Sequence, residues 1–189
     1  AAITVADTLE VDFQLVARAL ATFAGARRRF ENKYVSSHLR IVDDYGHHPT
    51  EVDATLQTAR SLKPGRMVVV FQPHRYSRTQ KLADDFGKAL QDADLVFVTD
   101  IYPASELPIE GVSAQTIVDA IAAHGNVPAQ VVGPIKNAHH AVGNALKSGD
   151  LLVTLGAGNV HEIGTKIARD MAVIEEMTRC CEEGGEQEE

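Results

Sequence analysis

Cysteine is scarce in this sequence, which narrows the kinds of site the chain can form. The only two cysteines, Cys180 and Cys181, are neighbours. Neighbouring cysteines rarely bridge each other, and two sulfurs without a nearby Cys/His cluster make a poor zinc site. We therefore expect no structural zinc and a reducing, cytoplasmic setting.

Long apolar runs are also missing. No run approaches the ~20 residues that a membrane-spanning helix needs, so we expect no contact with a membrane. The N-terminal stretch AAITVADTLE has no basic region ahead of an apolar segment, which argues against a signal peptide. It also has no initiator Met, which suggests a processed chain or an excised fragment.

Positive charge is in the minority, since the 189 residues carry a net charge of −8. The last eight residues, EEGGEQEE, hold five acids, and removing them takes the net charge from −8 to −3. We expect residues 176–189 to form an acidic, disordered tail. The basic clusters are small: Arg27 to Arg29 form one, and Arg75 with Arg78 forms another. Such clusters favour a small anionic ligand over a nucleic acid.

The apolar spacing predicts an α/β fold. Residues 1–24 have helical spacing that ends near Gly25, and residues 25–38 are polar and read as a linker. Beyond them, short apolar runs alternate with helical segments. The predicted strands are 39–44, 66–72, 94–100, 129–133 and 150–156, and the predicted helices are 48–62, 77–93, 113–123, 135–147 and 158–179. This alternation favours a Rossmann-like, mostly parallel sheet of about five or six strands with helices on both faces.

In such a sheet, ligands bind beyond the carboxyl ends of the strands, where this sequence concentrates its ionisable residues. The segment DDYGHHPTE places two carboxylates, a phenol and two imidazoles after the first predicted strand. Asp44 suits ribose hydroxyls, and His47 or His48 suits a base or a phosphate. The alternative is a plain turn that starts a helix at Pro49.

The segment FQPHRYSRT places His74, Arg75 and Arg78 where the next strand meets its helix. The free amides and the dipole of a helix N-terminus attract anions, and Arg adds a fork that fits carboxylate or phosphate. The alternative is a solvated helix start. Cations there oppose the helix dipole, so their presence indicates a bound anion.

Other motifs are weaker or missing. The run ARRRFE is more often solvated surface than a site, and LGAGN, with Gly156 and Gly158, opens a helix after the last strand. A lone GxG is a weak signal. No GxxxxGK[ST] occurs, so the chain has no P-loop, and no Ser/His/Asp or Cys/His nucleophile pattern stands out.

Five segments together resemble the Mur ligases, most closely the members that add L-alanine to UDP-N-acetylmuramate. They are GARRRFE, DDYGHHPTEV, VVVFQPHRYSRT, TDIYPASELPIEGVS and LVTLGAGN, in that order. The resemblance covers about residues 1 to 170. It implies a three-domain enzyme of which residues 1–24 end the central ATPase domain, 25–38 form a linker, and 39–175 form the C-terminal domain. The P-loop would then lie in the central domain.

The resemblance also implies a reaction and its residues. ATP would phosphorylate the carboxylate of UDP-N-acetylmuramate, and the amine of L-alanine would attack the acyl phosphate. The implied residues are His47, Arg75 and Arg78 for catalysis, Arg29, Asp44, His47 and His48 for the nucleotide, and Tyr45, His74, Arg75, Arg78, Gly156 and Gly158 for L-alanine. Mg²⁺ is implied by the ATP chemistry, with its ligands in the central domain.

Two alternatives remain. One is another amide ligase of the same superfamily, such as the murein tripeptide ligase. That ligase shares the DD(Y/F)xHHPT pattern, and the FQPHRYSRT segment is what separates the L-alanine-adding members from it. The other is a non-catalytic α/β module that binds a nucleotide or another anion. The resemblance further implies that the isolated chain is inactive and that it works with the enzyme's other two domains.

Overall fold

A six-stranded sheet organises the computed structural model, which describes residues 2–23 and 25–185. The elements in chain order are α1 (Ala2–Thr8), α2 (Phe13–Ala21), β1 (Glu31–Val35), β2 (Leu39–Asp44), α3 (Pro49–Ser61), β3 (Arg66–Phe71), α4 (Tyr76–Ala89), β4 (Leu95–Thr99), α5 (Ala114–His124), β5 (Ala129–Gly133), α6 (Ile135–Ala145), β6 (Asp150–Leu155) and α7 (His161–Gly185). A short 3₁₀ turn, Leu90–Asp92, follows α4. None of the described helices is long and apolar enough to cross a membrane.

The strand order is β1-β2-β6-β3-β4-β5. All neighbouring strands are parallel except β1, which pairs antiparallel with β2. The last strand in the chain, β6, therefore lies between β2 and β3. Its final residue, Leu155, is level with Asp44 of β2 and with Phe71 of β3. Three polar loops thus leave the sheet side by side.

Alternating side chains divide the core into two layers. Met67, Val69 and Phe71 of β3 face one layer, which α3, α4 and α5 cover. Val68 and Val70 of the same strand face the other layer, which α6 and α7 cover. The buried strands are apolar on both faces because helices cover both faces. The predicted α/β fold, with a mostly parallel sheet and helices on both sides, is confirmed.

The N-terminal region differs from the single helix that residues 1–24 predict. It forms two short helices, since Glu10 adopts a left-handed backbone with φ 55° and the chain turns before α2 begins. The Asp12 carboxylate caps α2 by accepting the amide of Leu15 at 3.0 Å. The helix ends at Ala21, ahead of the Gly25 stop that the sequence indicates.

Part of the predicted linker 25–38 is strand β1. Its polar residues gave no apolar alternation, because β1 is an edge strand with one exposed side. At the other end, α7 continues to Gly185, into the segment 176–189 that the sequence predicts to be a disordered tail. The end of the expected tail, 186–189, lies outside the described residues.

Candidate functional site

The carboxyl edge is our name for the four loops that follow β2, β3, β4 and β6. The register of the sheet brings the loops after β2, β6 and β3 together. The β4 loop joins them through an isolated parallel bridge between His74 and Tyr102. In that bridge, the Arg75 amide donates to the Tyr102 carbonyl and the Tyr102 amide to the Pro73 carbonyl, each at 2.8 Å. The sheet thus gathers the segments that the sequence singles out.

The Arg28 clamp, formed by Arg28, Asp43, Gly156 and Gly158, fixes the segment ahead of β1 to this edge. The Arg28 Nε donates to Asp43 at 2.8 Å. The two terminal nitrogens donate to the Gly158 carbonyl at 2.8 Å and to the Gly156 carbonyl at 2.6 Å. The Asp43 side chain is fully buried and also accepts the Thr154 hydroxyl at 2.7 Å. Arg28 is thus a structural cation, unlike the solvated residue that its run suggests.

Arg29 has a different environment from its neighbour. Its side chain is exposed, and its guanidinium lies 6.0 Å from the centre of the Tyr45 ring. The Arg28 guanidinium lies 5.1 Å from the same ring. Within the described part of the chain, the Arg29 guanidinium makes no hydrogen bond or ion pair. Arg29 can therefore meet an anionic ligand without first leaving a partner.

Asp44, expected at a ribose, is 6% exposed. One carboxylate oxygen accepts the Phe30 amide at 2.8 Å, and the other accepts the Gly46 amide at 2.7 Å. Asp44 thereby holds both the start of β1 and the loop after β2. Each oxygen retains a second lone pair, so contact with a sugar hydroxyl stays a prediction.

His47 and His48 lie just ahead of α3, with their amides turned toward Glu51. The Glu51 carboxylate accepts the His47 amide at 2.9 Å and the His48 amide at 3.2 Å. The His47 ring is half-buried, with its Nδ1 at 3.0 Å from the Tyr45 carbonyl and its centre 5.6 Å from that of His74. His48 is exposed. The structure therefore brings His47 to the FQPHRYSRT segment, whereas His48 stays at the surface.

His74 lies at the centre of the carboxyl edge. Its ring stacks on Tyr102 with 5.5 Å between centres and 10° between planes. Its Nδ1 is buried and has no hydrogen-bond partner among the described residues. Burial lowers the pKa of His74 below its ordinary value, and the neighbouring His47, Arg78 and Arg75 lower it further. The imidazole is therefore neutral at pH 7.

The α4 N-terminus, expected to hold a ligand anion, already binds a carboxylate of the chain. Glu106 accepts the Ser77 amide at 3.0 Å and the Ser77 hydroxyl at 2.7 Å. These two hydrogen bonds, with the nearby Arg75, lower the pKa of Glu106. Arg75 lies 3.9 Å from Glu106, and about half of its side chain is exposed. The helix end thus has its own anion, and the cations beside it remain for a ligand.

Arg78 is the least satisfied cation of the edge. It lies in the first turn of α4, and its terminal nitrogen Nη1 is buried with no hydrogen-bond partner in the described parts of the chain. Buried donors are normally paired, and an unpaired one next to a charge is costly. Arg78 and His74 together offer two unpartnered nitrogens at one place. Such an arrangement suits a carboxylate ligand.

The GAGN loop forms the wall of the edge. Gln72 is buried, and its side chain bonds the Asn159 side chain at 3.1 Å and the Val160 amide at 3.1 Å. A Cβ on Gly158 would collide with the Gln72 side chain and the Tyr102 ring, so this position requires glycine. The Gly156 and Gly158 carbonyls point to Arg28. Their contact with L-alanine therefore stays a prediction.

A metal does not fit the residues at this edge. The described part of the chain holds no group of three or more His, Cys, Asp or Glu placed for a cation. The two carboxylates after β2 are taken: Asp43 by Arg28 and Thr154, and Asp44 by backbone amides. No step of the chemistry is therefore assigned to a metal held by these residues.

Sequence reasoning missed four residues of the edge: Arg28, Gln72, Tyr102 and Glu106. All four stood inside segments that the sequence already singled out: Arg28 in GARRRFE, Gln72 in FQPHRYSRT, and Tyr102 and Glu106 in TDIYPASELPIEGVS. Their roles depend on contacts between loops far apart in sequence. The spacing within one loop cannot show such contacts.

A large cavity among the described residues lies elsewhere. It holds about 530 Å³ and opens between α6 and α7, at the amino ends of the strands. His139 and Ile167 line it, whereas no residue of the Arg28 clamp or the FQPHRYSRT segment does. This cavity is therefore separate from the carboxyl edge.

Comparison with known families agrees with the fold. The family described as Mur ligase, glutamate ligase domain, matches residues 28–158. The match begins at the Arg28 clamp and ends in the GAGN loop, so it includes all six strands.

Curated relatives are similar over most of this chain. The UDP-N-acetylmuramate–L-alanine ligase of Desulforamulus reducens is 45% identical over 169 residues, which cover 89% of this chain and 37% of that protein. The chain thus spans a little over a third of the length of the curated relatives that it matches.

Solved structures give the same picture. The UDP-N-acetylmuramate-alanine ligase of Thermotoga maritima superposes with a TM-score of 0.75 at 28% identity, covering 90% of this chain and 36% of that one. A murein peptide ligase from Psychrobacter arcticus gives a TM-score of 0.58 at 23% identity, covering 79% of this chain and 31% of that one. The second likeness is one of fold alone.

Proposed function

Because the chain belongs to the Mur ligase family through its glutamate ligase domain, we propose that it is the amino-acid-binding C-terminal domain of an ATP-dependent ligase that joins L-alanine to UDP-N-acetylmuramate. ATP transfers its γ-phosphoryl group to the carboxylate of the sugar nucleotide and leaves as ADP. The L-alanine amine then forms the amide bond, and inorganic phosphate leaves. The reaction belongs to peptidoglycan synthesis.

The observation that carries this proposal is the unpartnered Nη1 of Arg78 beside the unpartnered Nδ1 of His74 within the described chain. An α-amino acid brings one carboxylate, which matches the donors of an Arg. Glu106 already occupies the α4 N-terminus, so the incoming carboxylate goes to the guanidinium groups. Arg75 supports Arg78, because half of its side chain is exposed and its pairing with Glu106 is long.

Positioning is the main contribution of these residues to the reaction. A carboxylate fixed by Arg78 and Arg75 leaves the amine of L-alanine as the free end, directed at the acyl phosphate. His74 is neutral at pH 7, so it adds no positive charge that would repel an ammonium group. His47, 5.6 Å from His74, is placed to contact the reacting groups, and Tyr45 and the GAGN loop complete the pocket.

The nucleotide binds on the other side of Tyr45 in this proposal. Arg29 is exposed above the Tyr45 ring and meets the ATP phosphates across the domain cleft. Asp44 uses its remaining lone pairs for the ribose, and His47 and His48 lie near the nucleotide. Mg²⁺ accompanies ATP and neutralises phosphate charge, with its ligands in the preceding domain.

The preceding domains complete the site. Neither α1 nor α2 buries a residue, and most large apolar side chains of residues 2–23 are exposed. These exposed residues are Ile3, Val5, Leu9, Val11, Phe13, Leu15, Leu20 and Phe23. We place this apolar surface against the central ATPase domain, and we expect the isolated chain to lack ligase activity. Since Arg28 is fixed to the sheet, the hinge for domain closure lies ahead of it.

Arg78→Ala in the full-length enzyme tests the proposal. We expect the KM for L-alanine to rise about 10- to 100-fold, because a hydrogen-bonded charge pair is lost. The KM for ATP should change less than twofold. Initial rates with L-alanine and ATP varied in turn give both values.

Lys81→Ala is the matched control, since Lys81 is an exposed cation on the same helix. It should leave both KM values unchanged. Equal rises in the two KM values for Arg78→Ala would instead place Arg78 at the phosphates. Turnover of UDP-N-acetylmuramate with an L-alanyl peptide as the amine, and none with free L-alanine, would favour the murein peptide ligase reaction.

A further inference from the structure

The loop between β4 and α5 places the carboxylate of Glu106 at the start of α4. Both of its oxygens are used on Ser77, one by the amide at 3.0 Å and one by the hydroxyl at 2.7 Å. The same carboxylate lies 3.9 Å from Arg75. Its side chain is one quarter exposed. The contact therefore closes the space between two loops of the carboxyl edge.

Helix α4 needs this cap because it supplies none of its own. Its first turn holds no acid, and the side chain of its N-cap residue, Arg75, makes no capping hydrogen bond. The amides of a first helical turn have no partners within the helix. A carboxylate from outside pairs with one of these amides and opposes the positive end of the dipole. Glu106 therefore takes the place of a local Ser, Thr or Asp cap.

The loop backbone is shaped to bring Glu106 there. Ala104 and Ser105 adopt left-handed conformations, with φ 47° and 71°, and Arg75 does so on the facing segment with φ 72°. Such conformations cost energy for residues other than glycine and persist only where the surroundings enforce them. The Tyr102 bridge to Pro73 and Arg75 enforces them on one side, and Glu106 does so on the other.

The geometry also gives Arg75 and Arg78 different charge environments. Glu106 is hydrogen-bonded to Ser77 but stands beyond hydrogen-bond distance from Arg75. It therefore attracts the Arg75 guanidinium without occupying its donors. Arg78, one turn further on, has no described carboxylate partner of its own. One internal anion thus restrains the first cation and leaves the second free.

We propose that Glu106 is a positioning residue of the amino-acid site: it caps α4 from outside the helix and holds Arg75, so that Arg75 and Arg78 together meet the ligand's carboxylate. The use of L-alanine as that ligand rests on the proposed function. The cap itself does not, since it consists of contacts within the chain.

Hydrogen exchange in the full-length enzyme without substrate tests the cap. Glu106→Ala should speed amide exchange at the start of α4, around Ser77, by about tenfold or more, because the amide loses its acceptor. Glu106→Gln should change it less than threefold, since the amide oxygen still accepts. Glu110→Gln, an exposed glutamate of the same loop, is the control. Unchanged exchange in Glu106→Ala would overturn the cap.

Kinetics test the positioning. Glu106→Gln should raise the KM for L-alanine about fivefold through the lost charge beside Arg75, with kcat and the KM for ATP unchanged. In an Arg75→Ala background, Glu106→Gln should add nothing, since the two residues act as one unit. A purely structural cap would leave the KM of Glu106→Gln at the parental value, which would overturn the positioning role. A parental enzyme inactive with L-alanine would overturn the proposed function, and exchange alone would then decide the cap.

Discussion

Each end of the sheet carries an Arg–Asp clamp, and the two clamps resemble each other closely. At the carboxyl end, Arg28 donates to buried Asp43 and to two carbonyl oxygens. At the amino end, Arg66 donates to both oxygens of buried Asp150, at 3.0 and 2.6 Å, and to the Ala145 carbonyl at 2.7 Å. The chemistry is the same, whereas the surroundings differ.

The charged groups around the amino-end clamp are paired. Asp150 also accepts the Lys147 amide at 2.8 Å, and nearby Asp94 accepts the Met67 amide at 2.6 Å and pairs with Arg60 at 2.8 Å. Among the described residues, the carboxyl-end clamp borders an unpartnered cation, the Nη1 of Arg78, together with the unpartnered Nδ1 of His74, whereas near the amino end the Nε2 of a histidine, His139, is unpartnered. A clamp alone therefore indicates stability, and a clamp beside an unpartnered Arg side chain indicates an anion site.

Removing each aspartate is the strongest test of this comparison. Asp150→Ala should lower the stability by about 3 kcal/mol, because Arg66 is left without its buried partner. Asp43→Ala should have a similar effect on stability for the same reason. Thermal unfolding of the full-length enzyme, followed by calorimetry, measures both as shifts of the apparent Tm.

Kinetics then separate the two variants. At a temperature where both are folded, Asp150→Ala should keep its kcat/KM within twofold of the parent. Asp43→Ala should lose about tenfold or more, since Arg28 no longer fixes the GAGN loop and the segment that carries Arg29. Equal kinetic losses in both variants would show that the clamps do not differ in role.

One histidine at each end of the sheet, His74 and His139, allows a second comparison with a smaller expected effect on stability. Burial lowers the pKa of both His74 and His139 below the ordinary 6.5; His47 and Arg78 add to the effect at His74, and His140 and Lys166 at His139. As the pH falls, each histidine therefore binds a proton at a higher pH in the unfolded chain than in the folded one. The stability from each neutral histidine is present above about pH 6.5 and is lost as the pH falls through the folded-state pKa.

His74→Gln and His139→Gln should each reduce this acid-dependent fall in Tm. Only His74→Gln should also flatten the pH dependence of the KM for L-alanine, because His74 lies beside Arg75 and Arg78 whereas His139 lines the cavity at the other end. Melting curves and initial rates between pH 5 and 8 measure the two effects. A change of the KM profile in His139→Gln would contradict the separation of the two ends.

The sequence predicted the sheet well because its buried strands are apolar and each is followed by a helix. It also predicted the position of Arg78, since a helix start after a central strand must lie at the carboxyl edge. The clamp escaped it because the partners of Arg28 lie 15, 128 and 130 residues away. Glu106 escaped it because Ser77, 29 residues away, is reached only through a left-handed turn.

Sequence-based prediction was also wrong near the N-terminus, where apolar spacing gave a misleading signal or none. The spacing of apolar residues in 1–24 satisfies a single helix, and Asp12 inside it is a helix-start signal that the spacing hid. β1 has no such spacing, because one side of an edge strand needs no apolar residues. Both misses fall where little of the chain is buried, so hydrophobic pattern carries little information there.

Gly143 gives the test with the smallest expected effect, and here the substitution should raise the stability of the protein. It lies inside α6, where an added Cβ would meet no atom of the described residues within 4 Å, unlike Gly158 at the carboxyl edge. Gly143→Ala should stabilise the protein by about 0.5–1 kcal/mol, because alanine loses less backbone entropy in a helix. It should leave both KM values unchanged, since none of the residues proposed for the reaction lies at the amino end. A rise in either KM, measured with the same initial rates, would mean that the two ends of the sheet are coupled.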